Sequence, residues 1–352
     1  MTGSPSCRKR LSLPSERWPE ADRNASNAAF QPATRLKRGG VAGHLKPVTR
    51  DYHVALYGHF LGFLNRNGLL ELHQPAAANV IPKKVSAYID ELKDRVASTT
   101  LHGSIRKLRR VAQYMAPGRD FAWLAEICRD LGLVAQRRPK FNRFVLANVL
   151  VEAGLALIKE AENSHTMTKL AQARQVRNGL MVAMLGFHPI RRKNFAALEI
   201  GRSFVKIRGR WWIVLSAAET KEKRADERRI NKLLLPFIDR YLDQYRSVLA
   251  RSDNPSVALW FSANDGAPLT AKQVARAIRK TTLSTIGLAL SPHMFRTSVA
   301  STAAVYGGDN PHLASALLHH THPSVTNAHY NRATCLSAAE SLRQIVRQYQ
   351  KQ

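Results

Sequence analysis

Apolar residues recur at three- and four-residue intervals in four successive segments of the first half of the chain, which predicts four short helices. The first helix begins at Asp51, and the second begins near Pro82, a residue that the first turn of a helix tolerates. The third follows Ser98, and the fourth runs from about 121 to 131. Four helices packed this closely along the sequence predict a small all-α module.

A change of pattern after residue 138 predicts a second, larger domain that contains strands as well as helices. Segments 204–207 and 211–215 have the composition of strands and flank Gly209, so we predict a hairpin, with a third strand around Arg229. Helical spacing predicts the other elements at 143–161, 166–186, 234–250, 270–285, 293–306, 310–319 and 336–349. The predicted fold is therefore mainly α with a small antiparallel β-sheet.

The composition of two segments suggests where the domains begin and end. Residues 1–44 are rich in Ser, Pro, Ala, Asn and Arg and lack periodic apolar positions, which predicts a disordered basic arm. The stretch Gln136-Arg137-Arg138-Pro139-Lys140 is polar and interrupted by proline, as linkers often are. We therefore predict an arm at 1–44, a helical domain at 45–137 and a second domain at 138–352.

The charge of the chain points to a polyanionic partner. Its 54 Lys and Arg residues exceed its 25 Asp and Glu residues, giving a formal net charge of +29 that is spread over both halves. A membrane surface is the alternative, but no apolar run approaches the ~18 residues that a spanning helix needs, so no membrane association is predicted. Nucleic acid is the favoured partner.

Three cysteines, Cys7, Cys128 and Cys335, lie far apart without CxxC spacing. This predicts neither a disulfide framework nor a cysteine zinc site, and it fits a reducing cytoplasm. The apolar stretch near the first residues is too short and too polar for a signal peptide, so we expect no export.

The candidate chemistry lies mostly in the last sixty residues. His293 and Arg296 form a His-x-x-Arg motif, His320 follows twenty-four residues after Arg296, and Tyr330 follows ten residues later, all after a distant Arg191. Phosphoryl transfer on DNA needs cations around a non-bridging phosphate oxygen, donors for the leaving oxygen and a hydroxyl that attacks in line. These residue types supply all three.

The order and spacing of these motifs resemble the tyrosine recombinase (phage integrase) family over roughly residues 45–335. The resemblance implies a helical core-binding (SAM-like) domain followed by an integrase-type catalytic domain. It implies a recombinase or integrase of mobile elements that cuts DNA through a 3′-phosphotyrosyl intermediate on Tyr330 and exchanges strands through a Holliday junction. Four copies would act on double-stranded recombination sites, in prokaryotic cytoplasm at the nucleoid, without a cofactor.

Two positions in the resemblance have rivals nearby. Arg192 is the alternative to Arg191 for the first arginine. Phe195 and Leu198 fall on the core-facing side of the helix that follows if Arg191 stands at its start, which favours Arg191. In the family a lysine between two strands protonates the departing 5′ oxygen. Lys221, preceded by threonine, is favoured for this role over Lys223.

The sequence motif around His320 departs from the family pattern, because His319 stands where the family usually has a glycine. Either the turn is rearranged or His319 itself contacts the phosphate; we favour His320. The group His319, His320, His322 and His329 also suggests zinc, but adjacent histidines converge poorly across Pro323 and no nearby carboxylate or cysteine completes a site. No metal is predicted.

Basic residues on the third predicted helix are candidates for DNA binding. They lie between its apolar positions and are Arg106, Lys107, Arg109 and Arg110. A solvated helix face is the alternative. The resemblance favours the DNA interpretation, and it also suggests that the amphipathic segment 336–349 docks on a neighbouring protomer, with packing on its own domain as the alternative.

Two other functions use a similar set of residues. A type IB topoisomerase would reseal the original strand, but the short helical module and the His320 box argue against it. A catalytically degenerate DNA-binding protein is the other, and the presence of each expected catalytic side chain argues against that.

Overall fold

The computed structural model describes residues 11–136, 145–220, 222–251, 256–306 and 313–318. The chain divides into two compact units, Met1–Pro139 and Lys140–Gln352. The predicted boundary between residues 137 and 138 falls two residues earlier. The roles of the two units, DNA binding by the first and catalysis by the second, stay predictions.

The regular secondary structure in the described part of the first unit is all helical. Its helices are α1 (Glu20–Ala29), α2 (Pro47–Arg66), α3 (Pro82–Arg95), α4 (Ser98–Met115) and α5 (Ala122–Leu133). The last four correspond to the four predicted helices, although α2 begins four residues before Asp51. Their apolar faces meet in one core, in which Tyr57, Phe60, Ile105 and Leu124 are fully buried.

The predicted disordered arm is wrong for residues 11–44. This segment contains α1, and Trp18 and Phe30 beside it are 4% and 3% exposed. The Trp18 ring meets the Tyr57 ring edge-to-face, with centroids 5.1 Å apart. A Cβ at Gly58 would stand 2.6 Å from the Leu13 carbonyl oxygen, so glycine on α2 lets the segment lie directly against the helix.

One buried carboxylate ties this N-terminal segment to the rest of the unit. Asp22 is 1% exposed and accepts hydrogen bonds from the Tyr57 hydroxyl (2.8 Å) and the Ala77 amide (2.6 Å). A few anchors therefore hold the segment, rather than a periodic apolar face. Such anchoring leaves no repeating signal in the sequence, which is why the segment resembled a tail.

The second unit combines helices with a three-stranded antiparallel sheet of order β1-β2-β3. The strands are β1 (Phe204–Ile207), β2 (Arg210–Leu215) and β3 (Asp226–Arg229). Arg208 and Gly209 connect β1 to β2 with φ of 48° and 75°, the two-residue turn that favours glycine. The helices are α6 (Ala147–Asn163), α7 (Lys169–Phe187), α8 (Arg192–Ala196), α9 (Leu235–Arg240), α10 (Arg246–Ala250), α11 (Ala271–Ile286), α12 (Pro292–Tyr306) and α13 (Leu313–Leu318).

These elements confirm the predicted fold class, mainly α with a small antiparallel sheet. The segment predicted as one helix at 234–250 is divided, because a π-helical turn at Tyr241–Tyr245 separates α9 from α10. Helix α7 runs through the middle of the core, and its residues from 179 to 186 are all buried. Its last turn leads straight to Arg191. None of the helices in the described ranges has both the length and the apolar composition to cross a membrane.

Candidate active site

Arg191 lies at the start of α8, as its predicted role requires. It is the N-cap residue of this helix, with extended backbone angles (φ −66°, ψ 139°). Phe195 and Leu198 are both fully buried behind it. The rival Arg192 is exposed in the first turn. The local packing is therefore that expected if Arg191, rather than Arg192, faces a substrate.

Arg296 connects three segments that are far apart in sequence. It lies on α12 and is 7% exposed. Its Nη1 donates to the Pro189 carbonyl oxygen and its Nη2 to the Leu318 carbonyl oxygen, each at 2.6 Å. Pro189 lies two residues before Arg191, and Leu318 lies directly before His319. One buried guanidinium thus brings together the chain around each of the three sequence motifs.

Two ion pairs lie near Arg296. Arg191 Nη2 lies 2.7 Å from Glu222 Oε1. On β3, Arg228 pairs with Asp226 through Nε (2.7 Å) and Nη2 (3.0 Å), while its Nη1 donates to the Leu317 carbonyl oxygen at 2.9 Å. The site is therefore a cluster of three arginines with two carboxylates at its edge.

The pKa of Arg296 reflects both its burial and the positive charge of this cluster. Burial first, and then the positive charges of Arg191 and Arg228, lower that pKa from 12.5 to about 10, with Asp226 and Glu222 acting in the opposite direction. The guanidinium remains protonated at neutral pH. An anion placed beside it would relieve the repulsion among the arginines.

His188 supports the cluster from the core side. It is 8% exposed, and its Nε2 accepts a hydrogen bond from the Asn231 amide at 3.3 Å. Burial, followed by the charge of Arg228, lowers its pKa to about 4, with Asp226 opposing the shift. The ring is therefore neutral at neutral pH and adds no further positive charge.

The other predicted site residues are only partly described. His293 is exposed on α12, one turn before Arg296. Lys221, His320 and Tyr330 lie outside the described residues, as does His319. Lys223, in the connection between β2 and β3, is exposed with φ of 53°.

Sequence reasoning did not find Arg228, Asp226, His188 or Glu222. Asp226 and Arg228 are two residues apart, the spacing that puts side chains on one face of a strand. That signal becomes informative only once β3 is known to lie beside Arg296. No group of histidine, cysteine and acidic side chains in the described part of the chain has the arrangement of a metal site.

The cations of α4 lie on the side of the helix opposite its buried residues. Arg106 and Arg110 are exposed, while Lys107 and Arg109 are partly buried. Lys107 Nζ is 3.1 Å from the Tyr52 hydroxyl and 4.3 Å from the centre of its ring. The Lys107 side chain is thus supported by neighbouring α2.

The described surface of the second unit includes a polar hollow and an apolar groove. A polar hollow of about 340 Å³ lies between α7 and α11; its charged lining residues are all basic, namely Arg174, Arg177, Arg276 and Lys280. An apolar groove of about 870 Å³ lies beside the site. Its lining includes Leu155, Leu233, Val299, Leu313 and Leu317.

Comparison with known proteins gives a matching family and matching solved structures, including two recombinases. The model of the phage integrase family matches residues 156–335. The crystal structure of XerA recombinase is 18% identical, with a TM-score of 0.41, over 88% of this chain and 94% of that one. The structure of XerH site-specific recombinase bound to its difH substrate, a pre-cleavage complex, is 13% identical, with a TM-score of 0.54, over 80% of this chain and 76% of that one. The likeness to XerH shows a shared fold. A search of curated protein sequences found no match.

Proposed function

The chain belongs to the phage integrase family and is a site-specific tyrosine recombinase, and we propose that the hydroxyl of Tyr330 is its nucleophile on double-stranded DNA. The residues that we assign to the scissile phosphate are Arg191, Lys221, His293, Arg296 and His320. No cofactor is needed, because the phosphotyrosyl bond keeps the energy of the broken phosphodiester.

The proposed reaction has two balanced steps. The Tyr330 oxygen forms a bond to phosphorus while the bond to the 5′ oxygen breaks; Lys221 supplies a proton to that oxygen, and the phenol proton passes to a neighbouring base. The free 5′ hydroxyl of a partner strand then attacks phosphorus, and the tyrosine leaves and regains a proton. Two such rounds exchange both pairs of strands through a Holliday junction.

The observation that carries this proposal is the position of Arg296 between the segments of Arg191 and His319. Two guanidinium groups that raise each other's electrostatic energy are suited to a phosphate whose negative charge grows in the transition state. Guanidinium is also well suited because its planar fork holds two phosphate oxygens and keeps its proton.

DNA binding is proposed for both units separately. In the first unit the contacts would come from the α4 face, formed by Arg106, Lys107, Arg109 and Arg110. In the second unit the hollow between α7 and α11 offers a buried cation, Arg177, which is 4% exposed and donates to the Phe261 carbonyl and to Asn178 Oδ1. Both of these acceptors are neutral, so a DNA phosphate would compensate its charge.

We also propose the assembly and the place of action. Four copies would act on two paired recombination sites, since two rounds of exchange need four strand cleavages and each copy offers one Tyr330. The expected place is the nucleoid in prokaryotic cytoplasm.

A covalent trapping experiment tests the nucleophile. A duplex from the DNA that flanks the gene, nicked just downstream of the cleavage position, should trap the wild-type chain on a 3′ end. Tyr330→Phe should bind the same duplex with unchanged affinity but give no adduct, because it lacks only the attacking oxygen. Tyr306→Phe, which changes an exposed tyrosine of the same unit, should trap normally. An adduct on another peptide, or cleavage by Tyr330→Phe, would refute the assignment.

A further inference from the structure

Glu222 is an acidic residue in a site that is otherwise cationic. Its carboxylate lies 2.7 Å from Arg191 Nη2, and the two side chains are 31% and 30% exposed. A carboxylate presents two oxygens to a guanidinium fork in much the same way as a phosphate does. Glu222 therefore contacts Arg191 with the chemical group that most resembles the proposed substrate.

The charge of Glu222 acts on both assigned arginines. Besides its ion pair with Arg191, it opposes the effect that Arg191 and Arg228 have on the pKa of Arg296. The other carboxylate near Arg296, Asp226, makes two contacts to Arg228. The two carboxylates thus differ in position: Asp226 belongs to a pair within β3, whereas Glu222 faces the arginines assigned to DNA.

We propose that Glu222 occupies the phosphate position of Arg191 in the DNA-free chain and is displaced when DNA binds. This inference rests on the proposed function of Arg191. The carboxylate offsets the repulsion between Arg191 and Arg296 while no phosphate is present. Because the pair is partly exposed, water screens it and it is weak enough to exchange for a phosphodiester. Glu222 is thus a competing residue that limits how tightly the site holds a phosphate.

Glu219 provides a matched control in the same connection between β2 and β3. Its carboxylate lies 2.7 Å from Arg202 Nη1, and its side chain is also 31% exposed. Glu219→Gln and Glu222→Gln therefore remove the same charge from two glutamates of equal exposure, each in a pair of the same length. They differ in the arginine involved, since Arg202 has no assigned role at the phosphate.

Titration of the DNA-free full chain with inorganic phosphate tests the inference by calorimetry at constant ionic strength. Glu222→Gln should bind phosphate about fivefold more tightly than wild type, an effect of the size expected for a partly exposed ion pair. Glu219→Gln should stay within about twofold of wild type. The gain should disappear when Arg191→Ala is added to Glu222→Gln. Equal or weaker binding by Glu222→Gln, an equal gain in Glu219→Gln, or a gain that survives Arg191→Ala would overturn the proposal.

A second measurement separates competition from a purely structural role. With the nicked duplex, Glu222→Gln should reach half of its maximal rate of adduct formation at a lower DNA concentration, with a maximal rate within about threefold of wild type. If Glu222 only held Arg191 in place, the maximal rate would fall instead. The phosphate titration does not need cleavage, so failure of the Tyr330 assignment and failure of this inference give different results.

Discussion

Arg296 shows how a buried cation is oriented without losing its charge. Its Nη1 and Nη2 donate to the carbonyl oxygens of Pro189 and Leu318, which are neutral dipoles. A carboxylate in either position would hold the side chain equally well but would cancel much of the field that a phosphate feels. Orientation by carbonyl groups therefore keeps the positive charge available. The lowered pKa of Arg296 has a different origin, namely its burial and the nearby charges of Arg191 and Arg228.

His188 predicts a dependence of stability on pH. Its folded pKa of about 4 lies below the ordinary value of 6.5, so between these values the unfolded chain takes up a proton that the folded chain does not. Above pH 6.5 the titration of His188 should therefore take nothing from the free energy of unfolding. As the pH falls from 6.5 toward 4, the free energy of unfolding should decrease by up to about 3 kcal/mol.

Thermal unfolding at pH 7 and pH 4.5 would measure this loss. His188→Gln still offers an acceptor to the Asn231 amide but does not titrate, so it should lose less stability on acidification than wild type. His165→Gln, which changes an exposed histidine of the same unit, is the control. If the wild type and His188→Gln lose the same stability between the two pH values, His188 does not have the predicted role.

The residues of the site differ in how far they could be predicted from the sequence. Arg191 could be selected because Phe195 and Leu198 mark the buried side of its helix. Glu222 and Arg228 could not, since their importance depends on the position of β3 and of the connection before it. Lys221, His320 and Tyr330 rest on motif spacing and stay predictions.

Among the elements, α4 has the clearest division between core and solvent. Its buried residues are Leu101, Ile105, Leu108, Val111, Ala112 and Met115. At 3.6 residues per turn, the four cations fall within an arc of about 160° on the other side. Such a basic face is broader than one ion pair requires, and we expect it to contact several phosphates.

Removal of single charges from α4 tests its role in binding. Arg106→Ser and Arg110→Ser should each weaken binding to duplex DNA and reduce the slope of log affinity against log salt by about 1, because each lost phosphate contact releases about one counterion fewer. Arg129→Ser removes the same charge from α5, where the side chain is 74% exposed and lies 3.7 Å from Glu126. A slope that changes equally in all three variants would assign the effect to net charge alone.

Elements with a periodic apolar face were predictable, and anchored segments were not. The four helices of the first unit and the hairpin around Gly209 follow from the spacing of apolar residues and from the turn residue. Helix α1 was missed because Trp18, Asp22 and Phe30 fix it through individual contacts. Composition alone therefore misrepresented residues 11–44 as a tail.

At the scale of the whole molecule, the predicted fold class, family and enzyme class are confirmed. The order and spacing of the arginine, histidine and tyrosine motifs were sufficient for this, because together they resemble the pattern of the family that matches residues 156–335. The number of copies that act together could not be predicted from the order of the motifs, because it depends on surfaces that contact another molecule. It stays a prediction, and the apolar groove of the second unit offers a way to test it.

We expect the apolar groove of one copy to bind the amphipathic segment 336–349 of another copy. The apolar residues of the segment are Leu336, Leu342, Ile345, Val346 and Tyr349, and it lies outside the described residues. Burial of such a face in the groove of a second copy would be favourable in proportion to the apolar area removed from water. We expect a chain that ends at Leu336 to bind DNA as the full chain does but to lose assembly of protein–DNA complexes in sedimentation experiments.

A mixing experiment distinguishes docking between copies from packing within one copy. Leu233→Glu places a charge in the groove, whereas Leu283→Glu places it at a leucine of α11 with similar exposure, 54% against 56%. The truncated chain retains a groove and Leu233→Glu retains a segment, so each alone should fail to assemble while their mixture should form pairs. Leu283→Glu should assemble like wild type. If the mixture stays unassembled while the full chain assembles, the segment packs on its own unit, and four-copy assembly must use another surface.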